Sequence, residues 1–181
     1  MKSYDARAVA NLILDEAQHK RRTVSNLSLQ KLLYFSHGLY LMRHGQPLVT
    51  GYFEAWQFGP VHPVVYEAFK GAGDQLIDFR ATRRDLVSQS VSEIEKIDDP
   101  DCRSTVSQVI DAYGSLSPGR LVELSHAPNA PWAFIVDNSK VRPMLGLRIT
   151  DNVIRERFKF HKFSVRDYPT SGEPDEDAPF A

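Results

Sequence analysis

The sequence predicts a mainly helical α+β domain, with about five to six helices and one small antiparallel sheet. Three observations carry this. Apolar residues recur at helical spacing over residues 6–17, 28–44, 99–113 and 150–161, the period changes to two over 48–58, and proline or glycine stands at nearly every change of pattern. The globular part is expected over residues 1–163. Residues 164–181 are read as an acidic, proline-containing, disordered tail.

The elements follow in order. Ala6, Val9, Ala10, Ile13, Leu14 and Ala17 make one apolar stripe on a first helix that Asp5 caps. In "NLSLQKLLYFSHGLYLMRHG", Ser28 is read as the N-cap of a second helix, with Leu27 and Leu32 as a staple and Gly45 as the stop. Its apolar residues run almost all round, so it is expected to be the central helix of the core. After Pro47, residues 48–58 alternate as a strand, and "LIDFR" (76–80), "LVSQSV" (86–91) and "MLGLRI" (144–149) are candidate partners.

"FEAWQFGPVHPVVYEAFKG" puts Gly59, Pro60 and Pro63 between that strand and a third helix. The two prolines are read as fixing a rigid strand-to-helix elbow, with Val61, Val64, Val65, Ala68 and Phe69 on the buried side. Asp99 and Pro100 open the next helix, Ser117 and Pro118 a short one, and Thr150 the last, with Ile154, Phe158 and His161 turned inward.

Composition narrows the function. There is no run of 18 or more apolar residues and no cleavable signal pattern, so a cytoplasmic protein is expected. Cys102 is the only cysteine, which excludes an intrachain disulfide. The net charge of -1 conceals a division: Asp167 to Ala181 holds five acids and no Lys or Arg, leaving residues 1–166 with 22 bases against 18 acids.

No convincing catalytic set is present, and the chain is not read as an enzyme. A metal site would take two of His37, His44 and His126 plus a carboxylate such as Glu54 or Glu123, but no close-spaced ligand pair exists, and no metal or other cofactor is expected. Cys102 falls near a helix N-terminus, where the dipole lowers a thiol pKa, though a core-facing cysteine is the commoner case. "HKRR" (19–22) and "RATRR" (80–84) are basic clusters, weak support for DNA binding in so mildly basic a body. Trp56, Phe58, Tyr66 and Trp132 have the composition of a protein-binding hot spot, and equally that of a core.

At "LQKLLYFSHGLYL", "FEAWQFGPVHPVVYEAFKG" and "LSHAPNAPW" the sequence resembles the Panacea-domain family, which includes SocA-like antitoxins and phage-associated proteins. The motif positions are Gln30, Lys31, Tyr34, His37 and Gly38; Glu54, Trp56, Gly59, Pro60, Pro63 and Tyr66; and His126 and Trp132. The resemblance implies an antitoxin that neutralises a co-encoded protein toxin by direct contact. In the SocA-like branch the antitoxin is a proteolytic adaptor delivering its toxin to the ClpXP protease. Simple sequestration without proteolysis, or a DNA-binding regulator, stands as the alternative. The elbow, with Trp56, Phe58, His62 and Tyr66, together with Trp132, is the expected toxin-facing surface, and the acidic tail is expected to modulate or contact the unfoldase.

Overall fold

The computed structural model describes residues 3–85, 87–139 and 146–161. The readings of 164–181 as a tail, and parts of the strand candidates at 86 and 144–145, lie outside those residues. The described elements are α1 (Ala6–His19), α2 (Asn26–His44), β1 (Phe53–Trp56), β2 (Gly59–Val61), α3 (Pro63–Phe69), β3 (Thr82–Arg84), β4 (Val91–Glu93), α4 (Pro100–Tyr113), α5 (Pro118–Ser125), α6 (Pro131–Ser139), β5 (Arg148–Ile149) and α7 (Asp151–Arg157). Short 3-10 turns follow α3 and α7. No described helix is long and apolar enough to cross a membrane.

The fold is α+β and mainly helical. Its centre is α2, buried along its whole length from Asn26 to Leu41 except at Leu27. Helices α1, α4, α5 and α7 pack around it, as does the β1–β2 hairpin. Strand β1 is the middle of an antiparallel sheet ordered β2-β1-β5, and β3 and β4 form a separate exposed ribbon. The core runs from Val9 and Ile13 of α1 through Leu29, Leu33 and Phe35 of α2 to Val106, Val109 and Ile110 of α4, Ile149, Ile154 and Phe158.

Asp5 and Asp99 cap α1 and α4 as read from the sequence, and Ser117 and Thr150 cap α5 and α7. Other readings are corrected. The N-cap of α2 is Ser25, whose hydroxyl accepts the Ser28 amide; Ser28 is itself buried in the first turn. An apolar pattern all round the helix hides where it begins. Residues 76–80 are not a strand, and α6, which the sequence reading omitted, follows Pro131.

The elbow is also built differently. Gly59 and Pro60 do not break the strand: they pair back on β1, with Ala55 opposite Pro60 and Trp56 opposite Gly59, and the reversal falls on Gln57 and Phe58. Proline lacks a ladder donor, so it is tolerated in an edge strand such as β2. The turn into α3 comes at His62, with Pro63 in the first helical turn as expected. Val64 is 51 % exposed, so the buried side of α3 is Val65 and Phe69.

Gly38 marks a close approach to α2. A Cβ there would overlap the ring of Phe158, which leaves no room for a methyl group. Gly38→Ala is expected to cost about 1–3 kcal/mol by overpacking, read as a lower denaturant midpoint, and Phe158→Leu in the same chain should restore part of the loss. An unchanged midpoint for Gly38→Ala would contradict this packing.

Candidate functional site

The motif residues of α2 are buried, and each holds a different part of the molecule. Gln30 accepts the His62 amide at 3.0 Å and donates to Asn26 at 3.2 Å, which pins the start of α3. His161 donates from Nδ1 to the Leu124 carbonyl at 2.9 Å, so its Nε2 is the acceptor for the Tyr34 hydroxyl, also 2.9 Å away. His37 Nδ1 accepts the Val49 amide at 3.4 Å, which leaves its Nε2–H to donate to Asp151 at 3.0 Å. That donor holds the Asp151 carboxyl below the usual range, and burial pushes His161 down to about 4. The His161 imidazole is therefore a neutral strut rather than a charge.

Lys31 is the extreme case. Its side chain has no exposed surface, its ammonium nitrogen donates to the Pro60 carbonyl at 2.9 Å, and burial pushes its pKa down to about 7. Gly59, with φ of +90°, lets the hairpin approach: a Cβ there would overlap Ser125 Oγ and stand 3.0 Å from Lys31 Cε. Beside this contact the His126 ring stacks on Trp132, 3.6 Å between centroids and 15° between planes. His126 Nε2 is buried without a described partner, and burial, with the nearby Lys31 charge, lowers its pKa to about 4.

From there the contacts run outward. Trp132 donates its indole N–H to the Trp56 carbonyl at 2.8 Å, and Trp56 donates its own to buried Glu54 at 2.8 Å. The Trp56 ring meets Tyr66 edge-on at 4.7 Å. Three separated motifs thus meet around one hairpin.

This arrangement sorts the residues expected to face a partner. Phe58, on the hairpin turn, is 43 % exposed, and Tyr66, on α3, is 37 % exposed. Trp56 and Trp132 are half-buried supports with both indole nitrogens committed. His62 is a correction: it is buried, its Nε2–H donates to the Thr50 carbonyl at 3.0 Å, and it packs edge-on against Phe53. A side chain so enclosed cannot meet a partner directly. Val64 joins the exposed set, and the sequence reading missed it by assigning it to the core.

Reactive groups are not gathered here. Among the described residues no cluster of three or more His, Cys, Asp or Glu side chains could hold a metal ion. His37 serves Asp151, His44 stacks on Tyr40, and His126 stacks on Trp132. Cys102 is buried and its thiol is pushed up to about 12 by burial, the reverse of an activated thiolate. The basic clusters are partly neutralised: Lys20 pairs with Glu16 and Asp111, and Arg80 with Asp15.

The buried amine gives a pH signature. Unfolded Lys31 titrates near 10.5 and folded Lys31 near 7, so between those values the native state binds fewer protons, and this group's contribution to stability rises with pH. Lys31→Met removes that contribution and leaves the Pro60 carbonyl without its donor, at about 1–3 kcal/mol. The unfolding free energy of Lys31→Met minus that of the parent is expected to decrease steadily from pH 7 to pH 10. A difference independent of pH would contradict the buried, neutralisable amine.

The comparisons with known proteins fall on these same elements. The family model described as "Antitoxin SocA-like, Panacea domain" matches residues 29–133, from α2 through the hairpin to the start of α6. Antitoxin SocA of Caulobacter vibrioides (strain NA1000 / CB15N) is 46% identical over 177 residues, covering 98% of this chain and 94% of that protein. No solved structure matches. The buried contacts of Lys31, Gly59, His126 and Trp132 lie in or at the edges of the matched segment, and the chain belongs to the SocA-like antitoxin family, with its Panacea domain.

Proposed function

We propose that the protein is an antitoxin that neutralises a co-encoded protein toxin by direct contact, and that Phe58, Val64 and Tyr66, backed by Trp56, form part of the toxin-facing surface. The observation that carries the role is the similarity to Antitoxin SocA over nearly the whole chain. What supports the surface is its construction. Large side chains stand exposed on a hairpin and helix whose own backbone is fixed by Lys31, Gln30 and Trp132. Anchors that lose little entropy on binding are what hot spots require.

We propose further that the bound toxin is handed to ClpXP, as the resemblance to SocA-like adaptors implies. In that mode the antitoxin holds cargo and is released intact, acting below stoichiometry only when protease and ATP are supplied. Sequestration would instead saturate at a fixed ratio. A DNA-binding role would show steep salt dependence on operator DNA.

The product of the neighbouring gene, purified with this chain, is expected to form a stable complex and to disappear only when ClpXP and ATP are added. A long-lived toxin in a stable complex would replace delivery with sequestration, and absence of any complex would overturn the antitoxin reading. Phe58→Ala with Tyr66→Ala is expected to weaken the complex by tenfold or more, about 1.4 kcal/mol or more, while the melting temperature stays within a few degrees. Unchanged affinity would remove these residues from the interface.

A further inference from the structure

Two cavities, about 390 Å³ and 400 Å³, share Arg21, Arg22, Thr23 and Leu76 and form one continuous groove along the α1–α2 connection. Its charge is one-sided. Arg21, Arg22 and Arg80 line it, against a single acid, Asp78. Arg80 is already held by Asp15 and Gln18, at 2.7 and 2.9 Å, whereas the exposed guanidinium groups of Arg21 and Arg22 have no partner among the described residues. Leu76, 56 % exposed, supplies an apolar shelf between the two cavities, above buried Leu14 and Val24. None of these residues belongs to the hairpin surface.

We propose that this groove binds an acidic, proline-containing peptide segment, and that its occupant is the chain's own residues 167–181. The segment "DYPTSGEPDEDAPFA" has five acids and no Lys or Arg, so it complements the free arginines, while Tyr168 and Phe180 offer apolar groups to the Leu76 shelf. Three prolines keep it out of any strand ladder and suit it to an extended path across a groove. The rest of the chain carries four more bases than acids. Free carboxylates within a Debye length of unpaired arginines, about 8 Å at physiological salt, are attracted to them.

The reach is short. His161 is bonded to the carbonyl of Leu124, near the C-terminal end of α5, and the groove is lined by Ser117 and Pro118 at the N-terminal end of the same helix. A helix of 8 residues is about 12 Å long. Residues 162–166, fully extended, span about 16 Å. The first acid, Asp167, is therefore within reach of the groove, and the acids at 173 and 175–177 come after it in the sequence. Tethering at this distance gives an effective concentration on the order of millimolar, so a contact of modest intrinsic affinity is occupied.

The experiment uses the full chain. Because Cys102 is buried, a Ser171→Cys variant takes a nitroxide spin label at one position only. Relaxation enhancement is expected at the amides of Thr23, Leu76 and Leu116, lost in Arg21→Glu with Arg22→Glu, and regained when Asp175, Glu176 and Asp177 are changed to Lys in that background. These substitutions lie on exposed residues or in the tail, and an unchanged melting temperature verifies the fold. Absence of enhancement at the groove, enhancement centred elsewhere, or enhancement indifferent to the arginine charges would overturn the proposal. So would enhancement that appears only when labelled protein is mixed with an isotopically marked, unlabelled copy, since the tail would then belong to a neighbour.

Discussion

The Lys31 amine, sealed from water and bonded to the carbonyl of Pro60, is the contact on which the rest of the structure turns. A helix at the centre of a small domain cannot show a polar face to solvent, so every polar side chain that it carries needs a partner inside. On α2 those partners belong to different elements: Gln30 takes α3, Lys31 the hairpin, Tyr34 the turn after α7, and His37 the start of α7. Buried polar contacts of this kind add little net stability. What they specify is where each element docks, because any other arrangement leaves a buried group unpaired.

Position follows from that constraint, and exposure follows from position. The hairpin is clamped from below by Lys31 and from the side by the Trp132–Trp56 contact, and Gly59 allows Lys31 and Ser125 to come close. Phe58 and Tyr66 are left standing outward on a support with little freedom. The motif is thus divided in labour: Gln30, Lys31, Tyr34 and His37 build the support, and Phe58, Val64 and Tyr66 are the large apolar side chains it leaves open to solvent. The Arg21–Arg22 groove is chemically unlike this surface, so the molecule presents two regions suited to different partners.

Much of the frame was legible because local rules decide it. Asp5, Asp99, Ser117 and Thr150 cap helices through short-range bonds, and Pro63, Pro100 and Pro118 sit in first turns where no amide is missed. The centrality of α2 was legible from its all-round apolar pattern, yet the same pattern concealed that Ser25 and not Ser28 caps it. What local reasoning could not reach was long-range. Pro60 looks like a strand breaker until a lysine 29 residues away claims its carbonyl, and His62 looks like a surface group until Thr50 and Phe53 enclose it. Whether Trp56 was surface or core had no answer in the sequence, since it serves as the wall between them. The Val64 side of α3 was misjudged because a seven-residue helix offers too few turns for periodicity to discriminate.

The central claim is that the hairpin and α3 are one rigid unit with α2, and native-state hydrogen exchange tests it most directly. The amides of Ala55, bonded to Leu147, and Tyr66, bonded to His62, are predicted to exchange with the same opening free energy as amides in the middle of α2. Exchange of Ala55 and Tyr66 at the rates of the exposed β3–β4 ribbon, while α2 stays protected, would contradict it.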